Sequence, residues 1–122
     1  MTRILIVEDE ALVAMLVESM VEELGYAVVG PALTLDSALA LATEAQLDYA
    51  ILDMNLGQGV LSTPVAIALV ARGIPFLYAT GYGSKGVSAP FDKVPILKKP
   101  FLTSDLDQAL QRLMTLDARP TA

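Results

Sequence analysis

Five short, mostly apolar runs recur along the chain, at Arg3–Val7, Tyr26–Val29, Tyr49–Leu52, Ile74–Ala79 and Val94–Lys98. Runs of this length and composition predict strands covered on both faces. Between them the apolar positions switch to helical spacing. From Glu10 to Leu24, the residues Leu12, Leu16, Met20 and Leu24 form one i+4 row, and Val13, Val17 and Val21 form a second beside it. One row is expected to face the sheet, leaving the other to pack on a neighbouring helix or to stay exposed as a partner surface. Gly25 supplies the stop. A second helix is predicted from an N-cap at Thr34 to about Ala45, with Leu35, Ala38, Leu39 and Ala42 inward. A third takes Thr63 as cap and Pro64 at its first position, and stops near Gly73. It is apolar on every side, so it should be short and well covered. The last runs from about Ser104 to Leu116, with Thr103 or Ser104 as cap and Asp105 and Asp107 in its first turn.

Strands alternating with helices predict an α/β domain, a parallel sheet with helices on both faces. Right-handed crossovers favour the five-stranded order 2-1-3-4-5. One joint departs from the alternation. Between the fourth and fifth strands, Gly81–Lys93 contains Gly81, Gly83, Gly86 and Pro90. A loop, or at most one turn of helix, is expected there in place of a fourth crossover helix. The 122 residues make a single domain, with a frayed tail from about Ala118 to Ala122.

Composition narrows the chemistry. The apolar fraction is 54%, yet no run approaches the roughly 18 residues of a membrane span. With no cysteine there is neither a disulfide nor a thiolate site, which suits the cytoplasm. With no histidine there is no imidazole ligand or base within the chain. A net charge of −6 and the lack of a basic stripe argue against a nucleic-acid partner. Met1 and the polar tail suggest a free-standing chain.

Chemistry gathers at the strand ends. Glu8 and Asp9 follow the first run, Asp53 the third, Thr80 the fourth and Lys99 the fifth. In an open α/β sheet this edge is where ligands bind, and strands one and three are neighbours at the switch point. Three carboxylates there repel one another. A hard divalent cation such as Mg²⁺ relieves the repulsion, and the Asn55 backbone carbonyl offers a further oxygen. Asp53 then suits a nucleophile. Lys99 offers a point charge to a phosphoryl oxygen and Thr80 a hydroxyl donor, with Gly81 leaving room beside it. Strand alternation sends Lys98 to the other face. Singly, each of these residues has an ordinary reading: helix-capping acids, a structural threonine, a solvated lysine. The combination is what is specific.

The residues Ile4–Glu10, Leu52–Leu56, Ala79–Gly81 and Lys98–Phe101 carry a resemblance over nearly the whole chain. It resembles the receiver domains of two-component response regulators, which have a flavodoxin-like (βα)5 fold. Pro64–Ala66, Ala71–Phe76 and Tyr78–Gly83 make it most similar to the single-domain type typical of alphaproteobacteria. The resemblance implies that Asp53 is phosphorylated from a histidine kinase or histidine phosphotransferase, with signalling through an output protein or as a phosphate sink. It implies Mg²⁺ on Glu8, Asp9, Asp53 and the Asn55 carbonyl, with Thr80 and Lys99 on the phosphoryl group. It also implies a cis Lys99–Pro100 bond and a kinase docking on the row Val13, Val17 and Val21. Two features depart from the family. Ile96 stands where an aromatic switch residue is usual, and the fourth crossover helix is weakened. Tyr82 is then a candidate to take over part of the switch or to shield the phosphoryl group from water, in a loop ordered by phosphorylation. An alternative reading is a small Mg²⁺-dependent phosphohydrolase with Asp53 as nucleophile. Such an enzyme wants a second acid two residues on, and Asn55 cannot act as a general acid–base.

Overall fold

A computed structural model describes residues 1–81 and 94–117. The elements run β1 (Arg3–Val7), α1 (Ala11–Glu23), β2 (Ala27–Ala32), α2 (Leu35–Glu44), β3 (Tyr49–Leu52), α3 (Thr63–Ala71), β4 (Phe76–Thr80), β5 (Ile96–Lys98) and α4 (Thr103–Leu116). The strands form one parallel sheet in the order β2-β1-β3-β4-β5. This is the flavodoxin-like arrangement that the alternating pattern predicts.

Period-two alternation divides the core into two layers. Leu5, Val7, Leu52 and Tyr78 pack with Ala38 and Ala42 of α2 and with Val65 and Leu69 of α3. Ile4, Ile6, Ile51 and Leu77 pack on the other face with Val17 and Val21 of α1 and with Leu106, Leu110 and Leu113 of α4. Both faces of the central strands are therefore dry, which is why those runs read as continuously apolar.

The face that α1 buries corrects one expectation. Its inward stripe is Ala14, Val17 and Val21. Val17 and Val21 are 4% and 0% exposed, so they belong to the core, and Val13 is half-buried. The row Val13, Val17 and Val21 is therefore not a free partner surface. Small side chains let the helix approach the sheet, and the bulky ones turn outward. Leu12, Met15 and Leu16 are 77%, 60% and 61% exposed.

Several boundaries move for local reasons. β2 continues past Val29 through Gly30 and Pro31 to Ala32, with a register shift opposite Leu5–Val7. Gly30 takes φ +91°, and a Cβ there would stand 2.7 Å from the Ala32 nitrogen, so only glycine makes this bulge. Pro31 is tolerated because β2 is an edge strand. β4 and β5 begin after Pro75 and Pro95, which have no N–H for the ladder. The Gly30–Pro31 and Lys99–Pro100 bonds are both cis, the second as the resemblance implies. Ser62, rather than Thr63, precedes α3, and its hydroxyl donates to the Met54 carbonyl at 3.3 Å. α3 is less covered than its composition suggests: nine residues present one face to the sheet, and Ile67 and Val70 remain exposed. α4 starts at Thr103, where the Asp105 carboxylate accepts the Leu102 N–H at 2.8 Å. The expected loop between the fourth and fifth strands, including Tyr82, lies outside the described residues, as does the tail from Ala118.

Arg72, at the end of α3, ties two helices together. Its guanidinium donates to the Ala42 and Ala45 carbonyls at 2.7 Å each, where the C-terminus of α2 is most negative. Arg72→Ala is expected to lower stability by about 1 kcal/mol in urea denaturation while leaving Mg²⁺ binding unchanged.

Candidate functional site

β1 and β3 pair in register up to Val7 and Leu52, so Glu8 and Asp53 leave the sheet side by side. The Asp53 N–H donates to the Val7 carbonyl at 2.9 Å, and the Glu8 N–H to the Ala32 carbonyl at 3.0 Å. The bulge in β2 thus helps to fix the first acid. On the other side, β4 and β5 pair up to Thr80 and Lys98, and the Lys99 N–H donates to the Thr80 carbonyl at 2.9 Å. Lys98 is exposed and Lys99 turns inward, as strand alternation requires.

The Lys99 ammonium is the hub. It donates to Asp53 Oδ2 at 3.0 Å and is bonded to Glu8 Oε1. Glu8 is 3% exposed, a position that a carboxylate tolerates only with partners. Its other oxygen accepts the Glu10 N–H at 3.1 Å. Burial pulls the Lys99 pKa down, but the bonds to Glu8 and Asp53 outweigh it and hold the ammonium above its ordinary value. Asp9 sits nearer the solvent. Loss of solvent, and then its hydrogen bond with Glu8, push its carboxyl above the usual aspartate range.

Glu8, Asp9 and Asp53 each present one carboxylate oxygen, and these oxygens lie within 4.8 Å of one another. A set of hard oxygen donors at that spacing fits a divalent cation of the Mg²⁺ type. The Asn55 carbonyl is a suitable fourth donor. Asn55 faces Leu61 in an isolated antiparallel bridge, but the bonds of that bridge run between the flanking residues. Leu56 N–H donates to Val60 O at 2.7 Å and Ser62 N–H to Met54 O at 3.0 Å, which leaves the Asn55 peptide outside the ladder.

A cleft of about 480 Å³ opens over this cluster, lined by Asp9, Glu10, Asp53, Asn55, Gly57, Gln58, Gly81 and Lys99. Thr80 is fully buried behind Gly81 at the end of β4. The fold therefore brings Glu8, Asp9, Asp53 and Lys99 into one cluster with Gly81 on the lining of its cleft, while Thr80, next to Gly81 in the chain, is buried and is not part of that lining. Three lining residues, Glu10, Gly57 and Gln58, are not among the site residues that the sequence suggests. Gly57 and Gln58 both take positive φ, +89° and +53°. Gly57 had a signal, as a glycine four residues after a strand-end acid; Gln58 had none.

The response regulator receiver domain family matches residues 4–111. The chain belongs to that family. Its apolar runs and strand-end residues thus build a receiver domain of two-component signalling. It is 30% identical over 116 residues to the phyllosphere-induced regulator PhyR of Methylorubrum extorquens, covering 93% of this chain and 43% of that protein. The receiver thus spans less than half the length of this curated relative. The solution structure of SdrG from Sphingomonas melonis Fr1 is 46% identical, with a TM-score of 0.82 over 93% of this chain and 97% of SdrG. The BeF3-activated conformation of SdrG from Pseudomonas melonis Fr1 is likewise 46% identical, with a TM-score of 0.78 over 92% of this chain and 95% of that one. Among the described residues, no helix is long and apolar enough to cross a membrane.

Proposed function

We propose that this receiver accepts a phosphoryl group on Asp53 from a phosphohistidine of a histidine kinase or histidine phosphotransferase, in the cytoplasm and with Mg²⁺. The observation that carries this is Lys99 joining Asp53 and Glu8 at the floor of a cleft open to solvent. An Asp53 oxygen attacks phosphorus, the P–N bond breaks, and its electron pair leaves on the donor imidazole. Glu8, Asp9, Asp53 and the Asn55 carbonyl would hold the cation, which when bound would supply positive charge to the phosphoryl oxygens. Lys99 supplies a fixed positive charge to one such oxygen, and the Thr80 hydroxyl donates to another. The domain then signals by phosphorylation-switched binding to an output protein, or serves as a phosphate sink or relay. That SdrG has a BeF3-activated conformation supports a switch of this kind. The donor's helices dock on the outward face of α1, at Leu12, Met15 and Leu16, beside an apolar groove reaching Pro100 and Phe101. No nucleic-acid contact is proposed, given the net charge of −6.

The receiver is not a turnover enzyme. Asn55 occupies the place a phosphohydrolase needs for a general acid, and its Oδ1 is bonded to the Gly57 N–H at 2.9 Å. Acetyl phosphate with Mg²⁺ should therefore label the protein once, read by mass spectrometry, with no steady hydrolysis of small phosphoesters. Steady turnover of a small phosphoester would overturn the proposal in favour of the hydrolase. The cation has its own test. At a hundredfold excess over its Kd, Mg²⁺ should stabilise the wild type by about 2.7 kcal/mol, and Asp9→Ala should lose most of that gain.

A further inference from the structure

The β3–α3 loop sets Gly57 against the acidic cluster with φ +89°. A Cβ built there would stand 3.0 Å from Asp9 Oδ2 and 4.0 Å from its Cγ, with no other atom of the described residues so near. The loop itself cannot retreat easily. The Gly57 N–H is held by Asn55 Oδ1 at 2.9 Å, and its carbonyl accepts the Val60 N–H at 2.9 Å. Leu56, just before it, is buried in the core. The Asp9 carboxylate, by contrast, is the end of a short side chain that sits nearer the solvent, held by its hydrogen bond with Glu8. A side chain at position 57 would therefore move the carboxylate rather than the loop.

We infer that Gly57 is a positioning residue for the cation site: the space left by its absent side chain is where the Asp9 carboxylate sits. The inference rests on the proposed reading of the acidic cluster as an Mg²⁺ site. Mg²⁺ demands near-octahedral oxygens at roughly 2.0–2.1 Å, so a displacement of a few tenths of an ångström at one donor is felt. Residues that orient a ligand typically change metal affinity by about 10–100-fold when altered.

Gly59 provides an internal control. It takes φ +77° in the same loop, yet among the described residues nothing lies within 4 Å of a Cβ built there. Gly57→Ala and Gly59→Ala thus impose the same kind of backbone penalty, and only the first reaches Asp9. The experiment is titration of the full chain with MgCl2, followed by backbone amide NMR shifts, with thermal denaturation of each variant as a check on folding. Gly57→Asn is included because asparagine adopts positive φ at lower cost while still adding a Cβ. Gly57→Ala and Gly57→Asn are expected to weaken Mg²⁺ about tenfold or more, and Gly59→Ala by less than about twofold. In an Asp9→Ala background, Gly57→Ala should cause no further loss. Equal losses at positions 57 and 59 would make the effect one of backbone strain and overturn the inference. Wild-type affinity in Gly57→Ala would overturn it too, with the cation site intact. A wild-type chain that binds no Mg²⁺ would overturn the reading of the cluster itself, and the inference with it.

Discussion

Asp53→Ala is expected to take up no phosphoryl group from acetyl phosphate and Mg²⁺, where the wild type becomes labelled to one group per chain. The loss should be at least about a hundredfold in rate, because the substitution removes the nucleophile itself and not a supporting contact. Glu8 is no substitute, since it is nearly sealed from solvent and tied to Lys99 and to the Glu10 N–H. Asp9 is more open but carries no bond to Lys99 among those seen, so a phosphoryl group there would lack the ammonium that Asp53 has at 3.0 Å. The loss should not come from unfolding. Removing one of three clustered carboxylates relieves repulsion, and Lys99 keeps Glu8 as its partner. Urea denaturation of Asp53→Ala should therefore give a stability equal to or above that of the wild type without Mg²⁺. Wild-type labelling of the variant, or a label shifted to Asp9, would place the chemistry elsewhere.

The fold was legible because its strands are buried on both faces. Tyr49–Leu52 reads as a strand from composition alone, and its ends are those observed. Thr34 was legible as a cap because its hydroxyl accepts the Ser37 N–H at 3.2 Å, a bond written into residue type and spacing. What failed to show was set by tertiary contact. α1 carries two adjacent apolar rows, and helical periodicity ranks them equally. The choice of the valine row for the core follows from how close a helix can approach the sheet, which no local pattern reports. Gly30–Pro31 normally ends a strand, and in β2 the bulge opposite β1 overrides that local preference. The site acids were legible because each ends a run, and order 2-1-3-4-5 brings those ends together. Gln58 was not: its place on the cleft depends on the φ of the loop, and glutamine has no preference that announces a positive φ.

Lys99→Ala should be the most costly substitution at the site for stability. It leaves Glu8, with its side chain 4% exposed, and Asp53, at 12%, without the ammonium that joins them. Breaking a buried pair by removing one partner typically costs about 3–5 kcal/mol. Lys99 itself is 21% exposed, so solvent screens part of the interaction, and a loss of about 2–3 kcal/mol is expected without Mg²⁺. Adding Mg²⁺ should return part of it, because the ion again neutralises the carboxylates. The pH dependence has a definite sign. Lys99 is raised in the folded state, so its contribution is complete below the unfolded lysine value of about 10.4. It disappears only as pH rises through the higher folded value. The gap between wild type and variant should therefore stay constant across neutral pH and narrow in strong base. Lys99→Arg keeps the charge but spreads it over a planar fork too wide for the place a single ammonium fills between two carboxylates. It should recover part of the stability and little of the labelling rate, which depends on where the charge meets the phosphoryl oxygen. Urea denaturation at several pH values, with labelling rates on the same samples, checks both. A Lys99→Ala chain as stable as the wild type at neutral pH without Mg²⁺ would mean that the two acids do not depend on this ammonium.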